Sequence, residues 1–330
     1  MNQAIQMIYG KEQTQLIFVA ASLGVADLLK DGPMSIETLA AATDTHTPSL
    51  YRVMRALVSH SVVAEPEPRQ FALTPSAEPL QTDHPRSIRN YALMHGSERF
   101  FRPYANMLSS VKAGGSAFEH TYSSNLYDHA REHPEDAGVF DAGMTDLAKS
   151  DASTILDHYD FSRVRTVADI GGGAGLLLAR ILKTHQSLSG TLFDLPHSAQ
   201  AALELMVAEG LHDRCEVIGG DFFASLPTGI DLFLLKAVLM DWEDEQAIRI
   251  LQNCRDGINV GGRVLVMQTL IPDDIIHGSY PLSDIRMLVL TGGRERTVSE
   301  YGHLYEIAGF KLNRVIPTDG PTSLIEGVPV

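Results

Sequence analysis

The chain has 330 residues, room for about two domains at roughly 150 each, and its 26 Lys+Arg against 41 Asp+Glu give a net charge of −15. A balance so acidic argues against nucleic acid, whose phosphates need clustered Lys and Arg, and against an anionic membrane surface. Apolar residues at 44% and charged residues at 20% place it with ordinary globular chains and exclude a disordered one.

Two cysteines, Cys215 and Cys254, are too few for a disulfide framework and read as reduced and buried, which points to the cytoplasm. The N-terminal stretch has no signal-peptide core, and no run of eighteen apolar residues predicts a membrane span.

In chain order, Ile17, Ala20, Ala21, Val25 and Leu28 recur at helical spacing until Gly32-Pro33 stops them. A short helix follows from Ser35. A second opens at Thr47-Pro48, with Leu50, Val53, Met54 and Leu57 on its apolar face. Ser61 to Leu73 alternates loosely around the charged tip Glu65–Arg69, a small β wing. Two helices and a wing outline a winged helix-turn-helix. Residues 1–90 carry 7 Lys+Arg against 9 Asp+Glu, however, and the second helix offers only Arg52 and Arg55. That is too little positive charge to read a DNA groove. A dimerisation module over 1–100 fits better, because the first long helix has more apolar surface than two small helices cover.

Residues 101–150 read as helical and rich in aromatics, either a core layer or the lining of a pocket for a flat substrate. From 164 onward strands alternate with helices: Thr166–Ile170, Thr191–Leu195, Cys215–Gly219, Leu232–Leu235 and Arg263–Met267, with the clearest helix at Glu243–Ile258. Such alternation implies a parallel sheet. Lys311–Pro317 and Thr322–Val328, joined through Asp319-Gly320-Pro321, add a hairpin at one edge. The predicted fold class is therefore α/β, a Rossmann-like doubly wound sheet of seven strands over 101–330, behind the N-terminal winged-helix domain.

The first of those strands runs into Gly171-Gly172-Gly173-Ala-Gly175 and a helix. Glycine there permits a tight turn and close approach to a ligand. A dinucleotide fingerprint needs a further glycine where Leu176 stands, and no Gly-Lys-Ser/Thr of a phosphate loop follows. The spacing suits a nucleoside without phosphates, such as S-adenosylmethionine. The second strand ends at Asp194, placed to grip ribose hydroxyls. The third ends at Asp221-Phe222, an acceptor for an adenine amino group beside a ring. Each alone is an ordinary strand-end residue; three on consecutive strands mark a site.

With these residues placed, the run Asp221 to Glu245, including Lys236 and Met240-Asp241-Trp242, resembles the signature block of S-adenosylmethionine-dependent O-methyltransferases of the caffeate and hydroxyindole type. Phe193-Asp-Leu-Pro-His197, Gly293-Arg-Glu-Arg296-Thr297 and Ser323-Leu-Ile-Glu326 resemble three further motifs of that family, and the N-terminal region resembles its dimerisation domain. The resemblance implies a homodimer that uses S-adenosylmethionine as cofactor, held by Gly171, Gly173, Asp194, Asp221, Phe222 and Lys236, with Phe222 where the family usually has Met. It implies methylation of a hydroxyl on a small aromatic or polyketide-type metabolite. Asp284 and Glu326 match the two acids that orient the family's catalytic histidine.

That histidine is missing. Where the family reads His-Asp-Trp, this chain reads Met240-Asp241-Trp242. A free phenol, with a pKa of about 10, supplies little nucleophile at neutral pH. Histidine suits its deprotonation, and a thioether does not. Three routes remain open. One is proximity to the sulfonium with an acidic substrate, and a second is another base such as His95, His277 or Asp284. In the third the bound sulfonium stabilises an anion in cyclisation, decarboxylation or hydroxylation. Methyl transfer is the main expectation. Met240 is then a pocket wall, and Trp242 a packing anchor beneath the cofactor.

Overall fold

The computed structural model describes residues 3–273, 282–319 and 322–330, so His277 and part of the turn at 319–321 lie outside the described residues. The chain divides into two compact units, one made of residues up to Arg102 with His133–Lys149, the other of Pro103–Glu132 with Ser150 onward. The segment 101–150, expected as one block with the second domain, is thus shared. Three contacts within the first unit explain this. Asp146 accepts the Asn90 backbone N–H at 2.7 Å, and Arg99 meets Asp136 at 2.7 Å. Gly143 lies against Met94 so closely that a Cβ there would stand 2.9 Å from its sulfur.

In the first unit Ser35 caps the helix Ile36–Ala42 by accepting the Thr38 N–H. Pro48 sits in the first turn of Thr47–Ser59, where its missing N–H costs nothing. Ile36, Leu39, Leu50, Met54 and Leu57 close on Phe71 as a small core. Strands β1 (Met34–Ser35), β2 (Val63–Glu67) and β3 (Gln70–Leu73) form the wing in the order β1-β3-β2.

The second unit is built on β4 (Thr166–Ile170), β5 (Ser189–Asp194), β6 (Cys215–Gly219), β7 (Ile230–Lys236), β8 (Ile258–Thr269), β9 (Phe310–Pro317) and β10 (Thr322–Pro329), in the order β6-β5-β4-β7-β8-β10-β9. The first five pair in parallel, and β10 pairs antiparallel with both β8 and β9. Strands buried on both faces must be apolar throughout, and alternate residues divide between two cores. Val167, Leu232, Leu234 and Leu265 pack with Leu178, Ile181 and Met206 on one face. Ala168, Ile170, Phe233, Leu235 and Val266 pack with Ile250, Leu251, Tyr301 and Tyr305 on the other. Cys215 and Cys254 are buried and free. Among the described residues no helix is long and apolar enough to cross a membrane. The chain order reverses at β4, which lies between β5 and β7; in such sheets ligands bind outside the carboxyl ends of the strands at that point.

Candidate active site

The carboxyl end of β4 opens into Gly171, Gly173 and Gly175, with φ of +69°, +56° and +82°. This left-handed conformation favours glycine. A Cβ on Gly171 would stand 2.8 Å from Val238, whereas Gly173 faces open space. Asp194, at the end of β5, accepts the Gly173 N–H at 2.7 Å and the Leu195 N–H at 2.6 Å, tying the loop to the neighbouring strand. Asp221 follows β6 and accepts the Phe223 N–H at 2.8 Å. The carbonyl of Phe222 accepts the Asn253 amide at 2.6 Å, and its ring meets Trp242 edge-on at 5.9 Å.

Asp169 is 1% exposed within β4, and its Oδ2 has no hydrogen-bond partner among the described residues. Burial pushes its carboxyl up to about 7 against the opposing pull of Lys236 at the end of β7. An orphaned buried acceptor, an open glycine backbone and strand-end carboxylates fit a ligand that is cationic and rich in donors. S-adenosylmethionine, with its sulfonium, ammonium and ribose hydroxyls, is such a molecule. The six predicted cofactor residues all lie on the loop or at the ends of β5, β6 and β7.

The next stretch carries Met240 on the short turn Leu239–Asp241 after β7. The motif Gly293-Arg294-Glu295-Arg296 builds that turn from outside. Arg296, fully buried, donates to the Leu239 and Trp242 carbonyls, each at 2.7 Å, and to Asp244. The Arg294 N–H reaches the Met240 carbonyl at 2.7 Å. Gly293 passes so close that a Cβ would stand 2.0 Å from the same oxygen, so no other residue fits there.

Gln268, on β8, aims its amide N–H groups at Met240 Sδ and at Glu295 Oε2, 2.7 Å away, while its buried Oε1 has no partner among the described residues. Glu295 is 2% exposed, and burial raises its carboxyl above the usual range. Asp241 accepts the Tyr127 hydroxyl at 2.5 Å. Burial pushes its carboxyl up to about 7 although that hydrogen bond works against the shift. Tyr127 also stacks on Trp242 at 5.9 Å, so one aromatic of the helical segment does line the site. Trp242 packs beside Phe222 and Phe223, at 4.8 Å from the latter.

The two acids expected to flank position 240 fall elsewhere. Glu326 accepts from Tyr159, Asn313 and Arg314 and lies 3.7 Å from Arg263, not beside Met240. The cause is register: β10 runs antiparallel to β8 and brings Ser323 opposite Gln268, so Glu326 lies three residues, roughly 10 Å, further back along the sheet. Asp284 is one step removed, accepting the Glu295 N–H at 2.8 Å. The side chains that do meet Met240's surroundings are Gln268 and Glu295, and Glu295 stood in a motif already visible in sequence. His95 belongs to the first unit, edge-on to Tyr91 at 4.4 Å.

Comparison with known proteins gives a consistent picture. Residues 104–311 match the O-methyltransferase domain and residues 5–83 the O-methyltransferase dimerisation domain. The chain is 41% identical to the phenazine O-methyltransferase PhzM of Lysobacter antibioticus over 99% of this chain and 95% of the relative. Among solved structures it is similar to LaPhzM, with a TM-score of 0.92 at 40% identity over 99% and 98% of the two chains. It is also similar to NcsB1, an O-methyltransferase from neocarzinostatin biosynthesis solved with S-adenosylmethionine and 2-hydroxy-5-methyl naphthoic acid. There the TM-score is 0.81 at 31% identity, over 96% of each chain.

Proposed function

The chain belongs to the S-adenosylmethionine-dependent O-methyltransferase family, and we propose that it methylates a hydroxyl on a planar, fused-ring aromatic metabolite of the phenazine class. The observation that carries this is the identity of 41% across nearly the whole length of a phenazine O-methyltransferase. The stacked wall of Tyr127 and Trp242 at the strand ends supports it, since flat rings pack best on flat rings. Relatives named as methyltransferases favour methyl transfer over cyclisation, decarboxylation or hydroxylation.

When bound, S-adenosylmethionine supplies an electrophilic methyl group. Our reading assigns Gly171 and Gly173 to the backbone cradle, Asp194 to the ribose hydroxyls, Asp221 and Phe222 to the adenine, and Lys236 with Asp169 to the charges of the amino-acid end. Met240 is an apolar wall of the substrate pocket, and Gln268 Oε1 an acceptor for a substrate donor. We assign the N-terminal domain to a homodimer, and the two free buried thiols accord with a cytoplasmic enzyme.

The test incubates the protein with 1-hydroxyphenazine and S-adenosylmethionine labelled in its methyl group. The expected product is the labelled methyl ether. Binding of the phenazine with no label transferred to it, or to any hydroxylated naphthoate supplied in its place, would overturn the reading.

A further inference from the structure

Met240 leaves the reaction without its usual proton acceptor, and the structure offers another one residue away. We propose that Asp241, held by Tyr127, takes the proton from the substrate hydroxyl. This rests on the methyl-transfer reading above.

The neighbouring candidates fall away on chemistry and contacts. A thioether and an amide have no useful basicity, which removes Met240 and Gln268. Glu295 is 2% exposed and has one oxygen committed to Gln268. Asp284 has one oxygen committed to the Glu295 N–H. Asp241 sits on the same short turn as Met240 and is half-buried, not sealed. Tyr127 and Thr291 both donate to its carboxylate, and two donors against about four acceptor sites leave room for a substrate hydroxyl.

The groups around it come from every side of the site. Tyr127 lies on the helix Leu126–Glu132 and senses Asp194 on the cofactor side. Thr291 and Arg286, from the helix Leu282–Leu290 and its end, favour the charged carboxylate, while Glu295 and burial disfavour it. The balance leaves the group ionised for part of the population near neutral pH, where a general base is most effective.

The step balances. The substrate O–H bond breaks and an O–H bond to Asp241 forms. The released pair makes the O–C bond while the C–S bond of the donor breaks. A sulfonium and a carboxylate become a neutral thioether and a neutral acid, and the proton exchanges with water after turnover. Tyr127 is a positioning residue: its hydroxyl fixes the Asp241 rotamer, and the carboxylate keeps acceptor sites for the substrate.

The experiment has two readouts on full-length protein. Trp242 is the only tryptophan and stacks on Tyr127, so its fluorescence in the cofactor-free protein should titrate with a midpoint near 7. Asp241→Asn should abolish that titration. Methylation of 1-hydroxyphenazine by this variant should fall by about 100- to 10,000-fold at neutral pH, the usual worth of a general base, with S-adenosylhomocysteine affinity kept as the measure of an intact fold. The deficit should close as pH approaches about 10 and the substrate ionises by itself. Tyr127→Phe should shift the acid limb of kcat/KM without removing it. The proposal is overturned if Asp241→Asn keeps the acid limb and most of its rate, if its deficit stays constant with pH, or if Glu295→Gln alone removes the limb. If the wild type methylates no hydroxyl, the functional reading fails, while the fluorescence titration still decides whether Asp241 ionises near neutrality.

Discussion

Two groups of carboxylates in the second unit are built on opposite terms. Glu326, 1% exposed, accepts Tyr159, Asn313 and two nitrogens of Arg314. Burial alone would raise its carboxyl, yet these donors bring it below the usual range. Asp241, on the turn after β7, receives Tyr127 and Thr291, Asp169 within β4 keeps an orphaned oxygen, and burial still pushes both to about 7. A carboxylate with all its donors is spent on holding β9 and β10 together. Those whose burial outweighs their donors are the ones lying on the candidate site, as perturbed groups in clefts commonly do.

The sharpest way to break this contrast is at its structural end. Glu326→Ala would leave the buried Tyr159 hydroxyl without its acceptor, while the half-exposed Arg314 can turn to water, and the protein should lose about 2 to 3 kcal/mol, the usual cost of an unsatisfied buried polar group. Urea denaturation checks this, and S-adenosylhomocysteine affinity in the folded protein should not change. Because the folded carboxyl titrates lower than the unfolded one, its contribution is present above pH about 4.5 and is lost as pH falls. A variant that kept its stability but lost activity would reverse the assignment and return Glu326 to the active site.

At the functional end, Asp194→Ala should weaken S-adenosylhomocysteine binding by about 2 kcal/mol, roughly 30-fold, if the carboxylate receives the ribose. Calorimetry reads it directly, and an unchanged affinity would remove Asp194 from the site.

These expectations differ in how far they could be read before the fold was known. The glycine loop, Asp194 and Asp221-Phe222 each sit within one strand-to-helix connection, so local spacing carries their meaning. Strand positions were legible for the same reason: Leu232 to Leu235 is apolar on both faces wherever the strand is placed. Glu326 was misread because matching an acid along the chain says nothing of register, and an antiparallel β10 brings Ser323 rather than Glu326 opposite Gln268. Tyr127 was one aromatic among many, since its partner Asp241 is 114 residues away. Asp241 stood beside the missing histidine throughout, but burial and Glu295 lift its pKa against Tyr127 and Thr291, an environment that only the fold assembles.

Asp169→Asn sharpens the contrast through pH. The folded carboxyl titrates at about 7, above its unfolded value near 3.8. The cofactor-free protein therefore holds the proton more tightly than the unfolded chain does, and loses stability as pH rises from about 4 to 7. Removing the charge should make the free protein more stable at pH 8 and leave it nearly unchanged at pH 4. A loss of stability at pH 8 would mean that the orphaned oxygen is satisfied in the free protein after all.

The smallest single effect is expected at the position that departs from the family. Met240→His places an imidazole beside Gln268 without disturbing the backbone, which Arg294 and Arg296 hold through carbonyl contacts independent of the side chain at 240. In the wild type, where Asp241 already accepts the proton, the rate should change by no more than about threefold. In the Asp241→Asn background the same substitution should restore about tenfold or more, since one base then replaces another. The two effects must therefore be non-additive, which a double-mutant cycle measures. Equal gains in both backgrounds would mean that Asp241 and position 240 act independently. The carboxylate near 7 would then be a by-product of burial, and its resemblance to Asp169 would carry no functional meaning.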